Sequence, residues 1–226
     1  LSVENCVTPP MPDASSKVRP NWSRFSPTRA WTPSPTCSLE LSQYAAPSRA
    51  SVMAPLLAAV RASRALHAGF VVPPTTPAAY REYLARFASR RAGVRSLGFF
   101  AVRLEDRAIA GVLNLSEIVR GAFESAYLGY YALAPYANAG YMSEAMVLVL
   151  DTAFDALGLH RVEANVQPVN ARSLALVERA GFSREGYSRR YVKVGGRWRD
   201  HVRFAMLAED WPGARRRVVA ALKAHR

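Results

Sequence analysis

The chain has 226 residues, of which 50% are hydrophobic, and its 30 Lys and Arg against 17 Asp and Glu give a net charge of +13. This length and composition suffice for one sizeable core, or for one domain with an extension. The positive charge favours anionic partners such as a nucleotide, a coenzyme, RNA or an anionic surface. The two cysteines, Cys6 and Cys37, lie outside the patterned region and argue against a disulfide scaffold or a thiol nucleophile. No apolar run is long enough to span a membrane, so we expect a cytoplasmic protein.

Residues 1–37 are predicted to be a disordered extension. Seven of the 15 prolines lie there, mixed with Ser and Arg, and no apolar periodicity appears. Such a segment cannot bury enough surface to offset the conformational entropy lost on ordering. It also lacks the basic and apolar regions of a secretory signal. The folded domain is therefore predicted over residues 38–211, followed by a basic helix or tail over residues 212–226.

Before the centre of the chain, apolar periodicity and breaker residues outline three strands and two helices. They are a strand at 39–43, helices at 51–68 and from Pro77 onward, and strands at 97–104 and 108–118. The first helix is stopped by Gly69. Pro77 suits a first helical turn, because the N–H that proline lacks has no partner at that position.

The centre of the chain, residues 127–145, reads YLGYYALAPYANAGYMSEA and predicts a strand, a tight loop and a helix. The strand is rich in β-forming residues and is predicted to end at Pro135, which has no N–H for the ladder. The loop Ala137-Asn138-Ala139-Gly140 has only small side chains, and Asn138 tolerates a positive φ. Apolar residues then recur at helical spacing from Met142 onward.

This strand, loop and helix favour an anion site. The first turn of a helix leaves N–H groups unpaired and its dipole favours negative charge, so a pyrophosphate can sit directly on the backbone beside Gly140. The alternative interpretation is an ordinary strand-to-helix turn, because small-residue loops are common and weak motifs mislead.

The second half of the chain continues with a strand, a helix and a hairpin. Residues 160–167 alternate between apolar and polar side chains, as a half-buried strand does. Asn170 is predicted to cap a helix that runs to Ala180, with Gly181 just after its end. Gly195-Gly196 is a hairpin signal between strands at 188–194 and 197–207. The predicted order is strand, two helices, three strands, helix, strand, helix and two strands.

Several motifs together resemble one known superfamily. YMSEA opens the central helix and NARSLALVERAGF follows the next strand, as in the GCN5-related N-acetyltransferase (GNAT) superfamily. The segments SEIVRGAFESAYLGY, LHRVEANVQPVN, GFSREGY and GGRWRDHVRFAML resemble its RimJ/RimL-type ribosomal-protein alanine N-acetyltransferases, RimJ more than RimL. The resemblance covers roughly residues 39–211. It implies an α/β (α+β) fold with a mixed, mostly antiparallel sheet of six to seven strands, splayed between strands 4 and 5, with helices on both faces.

The resemblance implies acetyl transfer from acetyl-CoA to an amine, without a metal or a covalent enzyme intermediate. The acceptor implied first is the N-terminal α-amino group of a protein, for example a ribosomal protein. A small-molecule amine is the first alternative. The second alternative is a non-catalytic basic module that associates with RNA or the ribosome and carries a vestigial coenzyme site. No membrane partner is expected.

The resemblance also implies the coenzyme-binding residues. The pyrophosphate would lie on the turn from Asn138 to Ser143, and the thioester arm in the splay, where the backbone of Leu133 would bond it. The loop, Ala137-Asn138-Ala139-Gly140, departs from the family pattern Gln/Arg-x-x-Gly-x-Gly/Ala, since it lacks both the long polar residue and the first glycine. The implied set is Leu133, Ala134, Asn138, Ala139, Gly140, Tyr141, Met142, Ser143 and Asn170.

Three residues are candidates for the catalytic groups. Many GNAT enzymes have a tyrosine as the acid for the thiolate where Val177 stands here. In RimL-like enzymes a serine that Ser173 matches has that role, although Ser173 is equally explained as a first-turn hydroxyl that satisfies backbone. Tyr127 can hold a water molecule or only pack at the rim of the sheet, and Glu124, at the start of the strand, can titrate as the base.

Polar and aromatic residues also cluster near the end of the chain, at Trp198, Asp200 and His201. We expect a buried pair of Asp200 and His201 that stabilises the last strand. The other histidines are scattered along the chain and predict no metal site: His67, His160 and His225.

Overall fold

The computed structural model describes residues 39–43, 49–88, 96–134 and 136–224. The predicted extension over residues 1–37, with Cys6 and Cys37, lies outside these ranges, as do Pro135 and His225. The extension and the domain limits therefore stay predictions.

Within the described ranges, seven strands form one mixed sheet, in the order β1-β2-β3-β4-β5-β7-β6. Neighbouring strands are antiparallel except β4 and β5, which run parallel. This confirms the predicted mixed, mostly antiparallel sheet. The strands are β1 Leu39–Gln43, β2 Leu97–Arg103, β3 Ile109–Val119, β4 Ser125–Ala132, β5 Arg161–Val166, β6 Ser183–Val194 and β7 Arg197–Leu207.

Helices cover both faces of the sheet, as predicted. The larger core packs β1–β5 and β7 against the fourth, fifth and sixth helices. A smaller core packs the first and third helices against β2, β3 and β4 on the other face. None of the described helices is long and apolar enough to cross a membrane. The helices are α1 Arg49–Ala62, α2 Arg64–His67, α3 Pro77–Ala88, α4 Tyr141–Asp151, α5 Ala171–Arg179 and α6 Trp211–Ala224.

Two predicted helices differ in detail from the observed ones. The helix expected at 51–68 is divided at Ser63 into α1 and α2, and the hydroxyl of Ser63 donates a hydrogen bond of 2.7 Å to the carbonyl of Ala59. Such a bond from a serine to the preceding turn competes with the backbone ladder and bends a helix. Helix α4 continues into a π-helical turn, Thr152–Ala156.

One buried carboxylate joins the two longest helices of the larger core. Asp151, at the end of α4, is 2% exposed. It accepts hydrogen bonds of 2.8 Å from the indole N–H of Trp211 and from Nε of Arg215, both on α6. The link explains how the basic C-terminal segment folds back onto the domain.

The expected pair of Asp200 and His201 does not form. Neighbouring residues of a strand point to opposite faces of the sheet, so their side chains cannot meet. Asp200 accepts hydrogen bonds from the hydroxyl of Tyr187 at 2.6 Å and from the N–H of Arg190 at 2.7 Å. His201 is buried, and its Nδ1–H donates to the carbonyl of Arg199 at 3.0 Å.

Replacing Gly181 by alanine is expected to destabilise the fold by roughly 2–4 kcal/mol. Gly181 follows α5 with a φ of +89°, and a Cβ there would lie 2.8 Å from the Cβ of Ala214 on α6. The cost combines an unfavourable left-handed backbone with overpacking between two helices. Urea unfolding measures the free energy of unfolding.

Gly158→Ala is the matched control, because Gly158 has a φ of +60° but no described atom within 4 Å of a Cβ. It should cost only about 1–2 kcal/mol, from the backbone alone. Equal costs at the two positions would show that the contact with α6 contributes nothing.

Candidate active site

Strands β4 and β5 pair only at their beginnings. Ser125 pairs with Arg161 and Tyr127 with Glu163, and beyond that point the two parallel strands separate. The remainder of β5 continues to pair with β7, through Asn165 and Val166. The sheet therefore has an opening between the C-terminal ends of β4 and β5, which is the splay predicted between strands 4 and 5.

The loop between β4 and α4 has the geometry of an anion cradle. Asn138 and Gly140 both have left-handed φ angles, +64° and +83°. Helix α4 begins at the next residue, Tyr141, and Gly140 provides no side-chain cap. The N–H groups of Tyr141 and Met142 thus precede the first intrahelical bonds. No described atom lies within 4 Å of a Cβ at Gly140, so the space over the loop is open. These residues fit a phosphate group.

Packing beneath the loop fixes the start of α4. The sulfur of Met142 lies so close to Gly111 on β3 that a Cβ there would be 2.3 Å from it. The guanidinium of Arg103 lies 4.9 Å from the ring centroid of Tyr136 and 5.3 Å from that of Tyr141. A hydrogen bond with Tyr136 raises the pKa of Arg103. The loop is therefore held between the end of β2 and the first turn of α4.

The side chains of Ser63, between α1 and α2, and of His67, at the end of α2, hold the end of β4. The backbone N–H of Leu133 donates a hydrogen bond of 2.9 Å to the carbonyl of Ala110 on β3. Since backbone groups alternate in direction along a strand, the N–H and carbonyl groups of the neighbouring residues point towards β5. The N–H of Ala134 donates to the hydroxyl of Ser63 at 2.8 Å. The carbonyl of Ala132 accepts a hydrogen bond of 2.8 Å from Nε2–H of His67. The backbone of Leu133 is predicted to bond the thioester arm, but its N–H is already used by the sheet.

His67 is buried beside the ring of Tyr131, with centroids 5.2 Å apart. Burial lowers the pKa of His67, and the bond to Ala132 offsets part of that effect. The imidazole is therefore neutral at pH 7. Its Nδ1 has no hydrogen-bond partner among the described residues. A buried acceptor of this kind is satisfied by a donor from water or a ligand.

The start of α5 lies against β4 across the opening. Asn170 caps the helix, as predicted, because its side-chain oxygen accepts a hydrogen bond of 3.2 Å from the N–H of Ser173. The hydroxyl of Tyr130 donates to the carbonyl of Ser173 at 3.3 Å, and burial raises the pKa of Tyr130. The hydroxyl of Ser173 has no hydrogen bond within the described part of the chain. Val177 is fully buried in the core.

The structure brings Tyr127 to the opening but not Glu124. Tyr127 belongs to the last pair before the strands separate. A hydrogen bond with Tyr191 raises the pKa of Tyr127 to about 12, so its phenol stays neutral at pH 7. Glu124 is exposed at the other end of β4, where its carbonyl accepts from His160 and Arg161. The eight residues of β4 separate it from Leu133, a distance of about 30 Å.

Among the described residues, no group of three or more His, Cys, Asp and Glu side chains could hold a metal ion. The buried histidines support this, since each bonds a backbone carbonyl. His67 bonds Ala132 and His201 bonds Arg199.

Comparison with known proteins decides the family. Residues 47–183 match the family described as the acetyltransferase (GNAT) domain. The chain belongs to the GNAT acetyltransferase family. This confirms the resemblance noted in its motifs, and the GNAT fold accounts for both the opened sheet and the loop at the start of α4.

Two curated relatives match about half of this chain. Probable N-acetyltransferase YjcK of Bacillus subtilis is 44% identical over 106 residues, which are 47% of this chain and 58% of YjcK. The [ribosomal protein uS5]-alanine N-acetyltransferase of Escherichia coli is 40% identical over 110 residues, 48% of this chain and 57% of the relative. The matched segment thus spans a little over half the length of each relative.

Solved structures extend the likeness to most of the fold. Mycobacterium smegmatis RimJ in complex with CoA-disulfide has a TM-score of 0.70 at 27% identity, over 81% of this chain and 88% of that one. The ribosomal-protein-S5-alanine acetyltransferase of Vibrio fischeri has a TM-score of 0.65 at 24% identity, over 76% and 93%. The second likeness concerns the fold alone.

Sequence patterns missed the residues that surround the opening. Ser63 and His67 reach β4 from positions 71 and 65 residues away along the chain. Tyr191 reaches Tyr127 from β6, on the far side of β5 and β7. No local period signals such contacts. In the structure the signal is a set of buried polar atoms that have no partner among the described residues, including His67 Nδ1, Asn165 Oδ1 and Arg203 Nε.

Proposed function

We propose that this chain transfers an acetyl group from acetyl-CoA to the N-terminal α-amino group of a protein. The observation that carries the proposal is the juxtaposition of the β4–β5 opening with the loop of Asn138 and Gly140 at the start of α4. A phosphate on that loop directs the arm of a coenzyme along the opening. The acetyl thioester then lies in the sheet where an amine can reach it.

The relatives support this assignment. The E. coli relative is named for acetylating an alanine of ribosomal protein uS5, and the M. smegmatis RimJ structure contains CoA-disulfide. The parts of the chain that bear most directly on the donor, α4 and β5, lie inside the matched family region. A ribosomal protein is therefore the acceptor that we propose first.

Acetyl-CoA supplies an activated acetyl thioester. The chain therefore has to bind and orient the two substrates and to transfer the protons of the reaction. We assign the pyrophosphate to the backbone from Asn138 to Ser143 and the arm to the opening beside Ala134 and Asn170. An α-amino group has a pKa of about 7.7–8.0, so part of it is neutral at pH 7 without help from a strong base. Tyr127, whose pKa is about 12, acts by holding a water molecule rather than as the base. Ser173, in the first turn of α5, is the proposed proton donor to the departing thiolate.

The test is calorimetric titration of acetyl-CoA into the full chain, followed by a transfer assay with an alanine-initiated peptide amide read by mass spectrometry. We expect one binding site per chain and a peptide heavier by one acetyl group at its α-amine. Absence of coenzyme binding in folded protein would reject the proposal. Binding followed by acetylation of spermine but not of the peptide would replace the protein acceptor by a small amine.

A further inference from the structure

Strands β6 and β7 project beyond the rest of the sheet as a two-stranded arm, residues 188–201. Pairing of β5 with β7 begins at Val202, whereas β6 and β7 stay paired up to the turn at Gly195-Gly196. Among the described strands, this part of β7 therefore pairs only with β6. No hydrophobic residue of the arm belongs to either of the two described cores. The outer part of the arm is thus open to a partner.

Contacts at the base of the arm hold it in a defined position. A bulge in β6 brings Tyr191 over the sheet, where it hydrogen-bonds Tyr127 and its ring centroid lies 6.2 Å from that of His201. Beside the bulge, Asp200 accepts a hydrogen bond from the N–H of Arg190. A two-stranded hairpin is only marginally stable by itself in water, so the arm depends on these contacts.

Trp198 is exposed on the face of the arm opposite Tyr191. Side chains alternate along β7, so Trp198 shares the face of Val202, and His201 lies on the other face with Tyr191. Trp198 is 60% exposed and makes no ring contact or hydrogen bond with a described residue. Trp211, by contrast, is buried and hydrogen-bonded. The contacts that hold the arm do not use the indole of Trp198, which leaves a large planar surface for a partner.

Basic side chains surround this indole. Lys193 pairs with Trp198 across the arm, and Arg197 and Arg199 flank it along β7. These three cations form no ion pair within the described part of the chain. The one acidic residue of the segment, Asp200, is engaged beside the bulge. The arm therefore has an excess of positive charge that attracts an anionic partner, and its basic residues are Arg189, Arg190, Lys193, Arg197 and Arg199.

An exposed aromatic ring flanked by cations suits single-stranded nucleic acid. An unpaired base stacks on the ring, while the cations bind phosphates on either side of the base. An anionic membrane fits less well, because a membrane-bound surface buries a continuous apolar face, whereas the neighbours of Trp198 on its face are Lys193 and Asp200. A second copy of this chain is repelled, since its net charge is +13.

We propose that the arm binds a single-stranded segment of RNA, with one base stacked on Trp198. Lys193, Arg197 and Arg199 bind the adjoining phosphates, because their long side chains reach past the edges of a two-stranded ribbon. The choice of RNA over DNA rests on the proposed function, since a ribosomal protein is accompanied by RNA. The surface itself is separate from acetyl transfer, because it lies on the face opposite Tyr127 and Tyr191.

Fluorescence anisotropy of a labelled oligouridine of about 12 nucleotides with the full chain tests the arm. We expect Trp198→Ala to weaken RNA binding about tenfold, through the lost stacking. Lys193→Gln and Arg197→Gln should each weaken it about threefold and reduce the slope of log K against log salt concentration by about 0.7. Melting temperatures and the Kd for acetyl-CoA should change little.

Two variants elsewhere on the surface are the matched controls. Phe123→Ala removes an aromatic side chain that is 72% exposed in the turn between β3 and β4. Arg81→Gln removes an exposed cation from α3. Both should bind RNA as the wild-type protein does. Unchanged RNA affinity in Trp198→Ala, or an equal loss in Phe123→Ala, would overturn the inference.

Further measurements separate the arm from the coenzyme loop and from other anionic partners. Saturating acetyl-CoA should leave RNA affinity unchanged, and displacement of the RNA would assign it to the loop of Asn138 and Gly140 and overturn the inference. Equal affinity for the deoxy oligomer would reject RNA as the partner. Phosphatidylglycerol vesicles that bind the wild-type protein but not Trp198→Ala, without RNA binding, would replace RNA by a membrane. RNA binding by a chain that transfers no acetyl group would keep the arm and reject only the proposed function.

Discussion

Replacing Asp151 by alanine is expected to lower the free energy of unfolding by about 3 kcal/mol. The carboxylate is 2% exposed and accepts from the indole of Trp211 and the guanidinium of Arg215. Its removal leaves a buried indole N–H without an acceptor and deprives a partly exposed guanidinium of its counter-charge. Because these bonds join α4 to α6, the loss loosens the helix that follows the loop of Asn138 and Gly140.

Urea unfolding of the full chain measures this change, with Asp155→Ala as the matched control. Asp155 lies four residues later in the π-helical turn and is exposed, so its removal should cost less than about 0.5 kcal/mol. If Asp151→Ala were as stable as the control, the link between α4 and α6 would contribute nothing to folding. For folded Asp151→Ala, the free energy of acetyl-CoA binding should decrease by less than the free energy of unfolding does.

Replacing Gly140 by valine is expected to weaken acetyl-CoA binding by roughly 100-fold. At a φ of +83° a β-branched residue is strained, so the loop must change conformation to accept it. The change redirects the N–H groups at the start of α4, and the new side chain occupies the open space over the loop. Calorimetric titration with acetyl-CoA measures the effect.

Gly121→Val separates loss of the site from loss of stability. Gly121 has a similar φ of +77° and no described atom within 4 Å of a Cβ, but it lies in the turn between β3 and β4. The same substitution there should destabilise the fold to a similar extent and leave the coenzyme affinity unchanged. If Gly140→Val bound acetyl-CoA as tightly as the wild-type protein does, the loop would not be part of the proposed site.

Local patterns were enough to predict most elements of this fold. The alternation over residues 160–167 indicates a strand with one buried face, and Val162 and Ala164 do lie in the core. Asn170 and Gly181 act at the ends of α5 as their residue types predict, one as the cap and the other at a positive φ. These features depend on a few neighbouring residues, so a single sequence contains them. The mixed, mostly antiparallel sheet and the β4–β5 opening came from the family resemblance.

The contacts that shape the site could not be predicted in this way. The division of the first helix at Ser63 has its reason in β4, where the same hydroxyl accepts from Ala134. The expected pair of Asp200 and His201 ignored the alternation of side chains along a strand, which sends them to opposite faces. Asn165 fits the alternation of an ordinary strand residue, and no local pattern indicates that its side-chain oxygen lacks a partner among the described residues.

The two edges of the sheet bear on how the protein behaves at high concentration. At one edge, the described part of β1 comprises five residues. The other, β6, is interrupted by two register shifts and carries four exposed basic side chains, Arg184, Arg189, Arg190 and Lys193. A regular strand of another molecule cannot pair along such an irregular edge, and like charges oppose its approach. The bulge that brings Tyr191 over the sheet thus also protects the protein against edge-to-edge aggregation.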